Sequence, residues 1–322
     1  METVMLARHA MATRFELVLH GENAVAMRAA GEEALDEIDR LEAQLSLYRP
    51  SSEIAHLNQR AAREPVRVTP SLFALLDHAR QLSLETGGAF DITIAPLVRC
   101  WGFMGGTGKL PPADKIEQAR SCVGMHHVHL NPSDYTVSFD REGVMLDLGA
   151  IGKGYAIEQA IGLLRDAAIT SALLHGGTST VCALGHPPEA DAWKVAIHHP
   201  DPKCDEPLTT VLLKDEAMSV SAGWGRSFQA AGKTFGHIID PRTGRPASSG
   251  ILAAIVVPSA TESDALSTAL LTLGAPGHDA IAKLRPNIRT LLVHEVEGGV
   301  KIVANGIDVS LYSSLPPLPS FR

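Results

Sequence analysis

The chain has 322 residues, of which 45% are hydrophobic and 20% charged, and a net charge of −8. These are the values of an ordinary globular protein, long enough for one large core or two closely joined ones. The acidic balance argues against a general nucleic-acid binder, whose affinity would rest on phosphate neutralisation, but leaves room for a phosphate-bearing small ligand in a local pocket.

Met1 to Arg8 carries no charged region followed by an apolar run, so no signal peptide is expected, and no later stretch reaches the length of a membrane span. Thr13 to Leu19 alternates Phe15, Leu17 and Leu19 as a half-buried strand would. From Ala24 the apolar positions take helical spacing: Met27, Ala30, Ala34, Ile38, Leu41 and Leu45. Thr69 and Pro70 open a second helix that Gly87-Gly88 closes. A Gly/Pro-rich loop (102–112) is followed by a short meander of 128–130, 135–139 and 144–146. A helix is predicted from about Lys153. Strands then dominate 171–257, two helices follow at about 263–273 and 278–284, and a strand-rich tail runs over 290–311. Strands and helices alternate irregularly, which favours α+β over a doubly wound sheet. Cys100, Cys122, Cys182 and Cys204 form no C-x-x-C pair and are expected to be isolated, mostly buried thiols of a reducing compartment.

Several segments hold residues suited to chemistry. In GHIIDPRTGRP (236–246) a strand from His237 to Ile239 should end in a turn begun by Asp240-Pro241, with Gly244 at positive φ. In SDALST (263–268) Asp264 and Thr268 are four apart, so on a helix they share a face and offer the oxygen donors a hard cation prefers. The competing reading makes Thr261 a helix N-cap and Asp264 its capping-box partner. In LDLGAIGKGYA (146–156) three glycines surround Lys153 at a helix start, which suits either an anion or tight packing; the spacing is not that of a Walker A loop. FDITIAPL (90–97) reads as a buried extended segment with Asp91 bonded to local backbone N–H groups.

FDITIAPL with the following WGF, LDLGAIGKGYA, LLHGG (173–177), GHIIDPRTGRP and SDALSTALLTLG (263–274) occur in one fixed order. In this the chain resembles the ApbE family, flavin transferases that move FMN from FAD onto a protein hydroxyl. The resemblance implies an α+β, T-fold-related architecture: mixed or antiparallel sheets, flanking helices and two interlocked subdomains, in one domain over 5–315. It implies Mg²⁺ held by Asp264, Thr268 and the backbone carbonyl of Gly152. Met11, Tyr48, Ala89, Phe90, Asp91, Lys153, Glu158 and Ile238 are implied as FAD contacts, with Glu158 toward the adenosine end. His237 is implied as the base, a histidine suiting a proton transfer near neutral pH. Ser267 is a possible outer-sphere helper to the metal, and Asp240 either orients its loop or reaches the metal through water. The implied partner is an acceptor flavoprotein subunit carrying a Thr or Ser. Many exported relatives carry a lipid-modified cysteine, whereas no cysteine precedes Cys100, so a cytoplasmic location is expected. The chain departs from the family at Thr178, after Gly176-Gly177, and at Ala222 and Trp224 in the segment beginning at Ser221. Hydrolysis of FAD to FMN and AMP at the same site, or FAD binding without transfer, are the alternatives.

Overall fold

The structure, a computed structural model, describes residues 1–201, 204, 206–223, 225–248, 250–297, 299–309 and 314–315. Nine strands form one sheet whose spatial order is the order of the chain. They are β1 (Glu2–Ala10), β2 (Thr13–Gly21), β3 (Ala172–Gly176), β4 (Thr180–Leu184), β5 (Ala217–Ala222), β6 (Gly250–Val257), β7 (Arg289–Val296), β8 (Gly299–Asn305) and β9 (Ser314–Leu315). Neighbouring strands run antiparallel throughout. Expectation and structure therefore agree on α+β. The first strand was not anticipated: Val4, Leu6 and Ala10 are buried while Met5 on the opposite face is 70% exposed.

The sheet is covered on both faces. Ala253, Ile255 and Val257 of β6 pack with the helices, whereas Leu252, Ala254 and Val256 pack under a two-stranded ribbon of Trp193–His198 and Pro207–Leu213. Burial on both sides explains why GILAAIVV shows no alternation of polar and apolar residues. The long β2–β3 connection carries α1 (Ala24–Leu45), α2 (Glu53–Arg60), α3 (Pro70–Glu85), α4 (Ala95–Cys100), α5 (Ala113–Arg120) and α6 (Gly152–Asp166). Phe90 and Val137 from this insertion join the same core as Leu17 and Ile255 from the sheet, which is how the two expected subdomains interlock. A smaller core of Leu97, Trp101, Phe103, Ile116 and Ile239 lies beside it.

Helix α7 (Ala260–Leu273) positions the most chemistry. Its N-cap is Ser259, whose hydroxyl accepts from Glu262 N, so Asp264 lies two positions beyond the capping-box site. The capping reading of Thr261 and Asp264 is thereby corrected. Two rows of hydroxyls set the helix on β5: Ser263 bonds Ser219 at 2.7 Å and Ser267 bonds Ser221 at 2.8 Å. Four helical residues rise ~6 Å and two strand residues ~6.8 Å, so i,i+4 on α7 meets i,i+2 on β5. Ser267 is thus a docking residue. Asp264 and Thr268, each one residue later, turn toward the space beside the sheet.

Helices α6 and α7 meet at Gly154, where an added Cβ would lie 2.2 Å from Ala260 O and 2.7 Å from Asp264 Cβ. One glycine of the cluster therefore serves helix–helix packing, not strand–helix packing. Gly154→Ala should destabilise the fold by about 3 kcal/mol, the upper part of the overpacking range, because the obstruction is backbone. Gly152→Ala, whose Cβ would meet only Leu148 Cβ at 3.8 Å, should leave stability unchanged or slightly improved. Urea unfolding of both variants tests the contrast.

Candidate active site

A cavity of about 1030 Å³ opens at one end of the sheet. The tip of the β1–β2 hairpin reaches it with Met11 and Ala12, both at positive φ (48° and 58°) in a two-residue turn of type I′. Tyr48, Ala89, Phe90 and Asp91 border the same cavity, as do Gly152, Lys153, His237, Ile238, Asp264 and Thr268. Glu158 does not. Its carboxylate accepts from Ser259 Oγ (2.6 Å) and Thr261 N (2.9 Å), locking the start of α7 onto α6. The structure thus places the Glu158 carboxylate, expected toward the adenosine end, at the α6–α7 junction, where it anchors one helix on the other.

Asp91 borders the cavity, but its carboxylate is committed to the fold. One oxygen accepts from Thr93 N and Thr93 Oγ1, the other from Met125 N and Ser83 Oγ. The segment after it is not extended as expected: Pro96 sits in the first turn of α4. His237 likewise lies outside a strand, since only Ile239–Asp240 pair, with Arg245–Pro246. Asp240 accepts from Arg242 N, Nε and Nη2, so its carboxylate holds the turn. Gly244 has the expected positive φ of 70°, and its carbonyl accepts from the Trp101 indole at 2.8 Å. That bond fastens the WGF segment to the GHIIDPRTG turn.

The His237 ring is fixed by Arg226. Its Nδ1 lies 3.1 Å from the Arg226 carbonyl, and the His237 N–H donates to the same oxygen at 2.9 Å. Nδ1 also lies 3.3 Å from the Arg226 N–H, which only donates, whereas the carbonyl at 3.1 Å only accepts; we take the shorter contact as the bond, which puts the ring proton on Nδ1 and the free lone pair on Nε2. Burial pushes the His237 pKa below the usual histidine value; the backbone bond opposes this, while the Arg226 and Lys153 charges reinforce it. A neutral imidazole at pH 7 is the form that accepts a proton.

Asp264 is 5% exposed. Oδ2 accepts from Gly154 N at 3.0 Å, and among the described residues no other donor to this carboxylate is recorded. Thr268 Oγ1 lies 3.2 Å from Ser221 Oγ. No cluster of three or more His, Cys, Asp or Glu placed to hold a metal occurs among the described residues. A carboxylate and a hydroxyl bordering one cavity, with Gly152 also on its wall, are nonetheless hard-oxygen donors of the kind that suits a partly hydrated Mg²⁺.

Sequence reasoning missed Asp147 and Arg226, both of which border the cavity. Burial pushes the Asp147 carboxyl up, against the Gly149 N–H bond and the charges of Lys153 and Arg226. The D-x-G spacing that makes Asp147 bond Gly149 N at 2.8 Å was the available signal. Arg226 follows Trp224, which lies outside the described residues, as does Leu311 of the predicted tail. Thr178 and Ala222, two of the departures, border the cavity. The cysteines are free, but only Cys182 is buried; Cys100, Cys122 and Cys204 are partly exposed, contrary to expectation. No helix among the described residues is long and apolar enough to cross a membrane.

A helix start carrying a lysine, a hard-oxygen donor set and an anchored neutral histidine around one large cavity define an enzyme that handles phosphate esters. The chain belongs to the ApbE family, whose model matches residues 11–292. It is 31% identical over 283 residues to the FAD:protein FMN transferase of Treponema pallidum (84% of this chain, 78% of that one). Identity to the Vibrio cholerae protein of the same name is 28%, over 84% of this chain and 81% of the relative. Among solved structures it is similar to the ApbE protein of Thermotoga maritima (TM-score 0.84, 26% identity, 97% of this chain and 99% of that one). The apo flavinyl transferase ApbE of Pseudomonas stutzeri gives a TM-score of 0.82 at 26% identity, covering 95% of each chain.

Proposed function

We propose that this chain is an FAD:protein FMN transferase that uses Mg²⁺ and modifies a Thr or Ser hydroxyl. The observation that carries the reading is the convergence of His237, Lys153, Asp264 and Thr268 on one cavity in a chain of this family. The acceptor oxygen attacks the FMN phosphorus, and His237 Nε2 takes its proton. The bond from that phosphorus to the bridging oxygen breaks, and AMP leaves with that oxygen. Lys153, at the first turn of α6, places a positive charge and the helix N-terminus where negative charge develops. Asp264, Thr268 and the Gly152 carbonyl would hold the dication, which supplies further neutralisation of the pyrophosphate. Met11, Tyr48, Phe90 and Ile238 offer the apolar surface against which an isoalloxazine would rest.

FAD should bind more tightly than FMN by titration calorimetry, because the adenosine half adds contacts; equal affinities would sink that part of the reading. Incubation with FAD, Mg²⁺ and candidate acceptor domains, followed by acceptor mass measurement, tests the transfer itself. Free FMN and AMP with an unmodified acceptor would mean that water is the nucleophile.

A further inference from the structure

We infer that the open edge of strand Trp193–His198 is where an extended segment of the acceptor protein docks, added as a further strand. This rests on the transferase reading above. Strand β3 borders the cavity with Leu173 and His175 only, the alternation expected when a strand presents one face. The ribbon strand borders it with five residues in succession: Lys194, Val195, Ala196, Ile197 and His198. A strand that contributes both parities to one cavity turns its edge toward it, not a face.

That strand pairs on one side only. Its partner is Pro207–Leu213, through Val195↔Val211 and Ala196↔Thr210, and no second neighbour is recorded among the described residues. The N–H and C=O groups of its free side are therefore available along the wall of the space that also holds His237 and Lys153. An acceptor that must bring a hydroxyl into this space has to enter as a chain. Main-chain pairing with an open edge is a general way to hold an extended chain with little dependence on its sequence.

Successive residues of an antiparallel strand send their N–H groups to opposite sides. Of Val195→Pro and Ala196→Pro, one therefore removes a donor from the open edge and the other removes a donor from the ribbon. The open-edge variant should melt like wild type and bind FAD within about twofold of it. It should label proteins in a lysate of the source organism at least about tenfold more slowly, read by in-gel flavin fluorescence. The ribbon variant should show a lowered melting temperature. Transfer at the wild-type rate in the variant that melts normally would overturn the inference, and so would an FAD affinity that falls in step with transfer, which would assign the edge to the nucleotide. Hydrogen exchange on the wild type needs no variant: FAD should leave the amides of 194–198 exchanging, and protection by FAD alone would also overturn it. If wild type releases no AMP from FAD and labels no protein, the transferase reading itself has failed.

Discussion

Asp264→Ala should lower FMN transfer by about 10³-fold or more, since a dication contributes several kcal/mol to charge stabilisation and each 1.4 kcal/mol is a factor of ten. It should also cancel the rise in melting temperature that Mg²⁺ gives the FAD complex. Asp264 also accepts from Gly154 N, so its removal has a structural cost that must be separated from the chemical one. Asp264→Asn makes the separation: its side-chain oxygen can keep the Gly154 bond while the charge is lost. Asparagine should therefore melt near wild type without Mg²⁺ and yet show neither the Mg²⁺ shift nor transfer. Thr268→Val should act the same way more weakly, because a neutral hydroxyl holds a dication less strongly than a carboxylate. A Mg²⁺ shift that survives intact in both Asp264 variants would withdraw the metal assignment.

His237→Ala should leave FAD affinity unchanged and slow transfer by about 10²–10⁴-fold, the range for a lost general base. The pH profile carries the sharper signature. Burial lowers the His237 pKa, so wild-type transfer should rise with pH through a value below the usual histidine one and level off above it. The sign follows from the base being the unprotonated ring: activity is lost as pH falls through that value. In His237→Ala this acid limb should vanish from the residual rate. Arg226→Gln tests the electrostatic part, because removing that positive charge should move the wild-type limb to higher pH. An acid limb that persists in His237→Ala would assign the titration to another group.

The sequence was most legible where local chemistry decides local structure. Thr69 does cap α3 with Pro70 in its first turn, and α1 covers the predicted span up to Leu45. It was less legible where several residues compete for one role. Ser259, Thr261 and Ser263 are all plausible caps, and only the docking of Ser263 and Ser267 on β5 selects Ser259. The stretch 144–146 was expected to be a strand; instead Leu146 exchanges both backbone bonds with the Asn58 side chain, a partner 88 residues away that no local pattern announces. Of the candidate site, the residues expected to touch FAD or the metal directly, other than Glu158, border one cavity, whereas Asp240 and Ser267 do not. Asp147 and Arg226 escaped although their partners are near in sequence: Asp147 precedes Lys153 by six residues, and Arg226 meets His237 across the hairpin of residues 227–236, a pairing that no motif around Arg226 announces.

The coincidence of strand order with chain order gives the site a history during synthesis. Each new strand of the sheet can be laid against the one just made, so the scaffold grows outward from the β1–β2 hairpin in the direction of translation. The walls that Met11, Tyr48, Phe90 and Lys153 supply are in the emerging chain more than a hundred residues before Asp264 leaves the ribosome. A nascent chain arrested before α7 would own most of the apolar wall and Lys153 at the start of α6, but neither of the side-chain oxygens proposed to hold a dication. The two side-chain oxygens proposed for the dication therefore come late, when one helix slides its hydroxyls into register on β5 with only β7 to β9 still to be laid down.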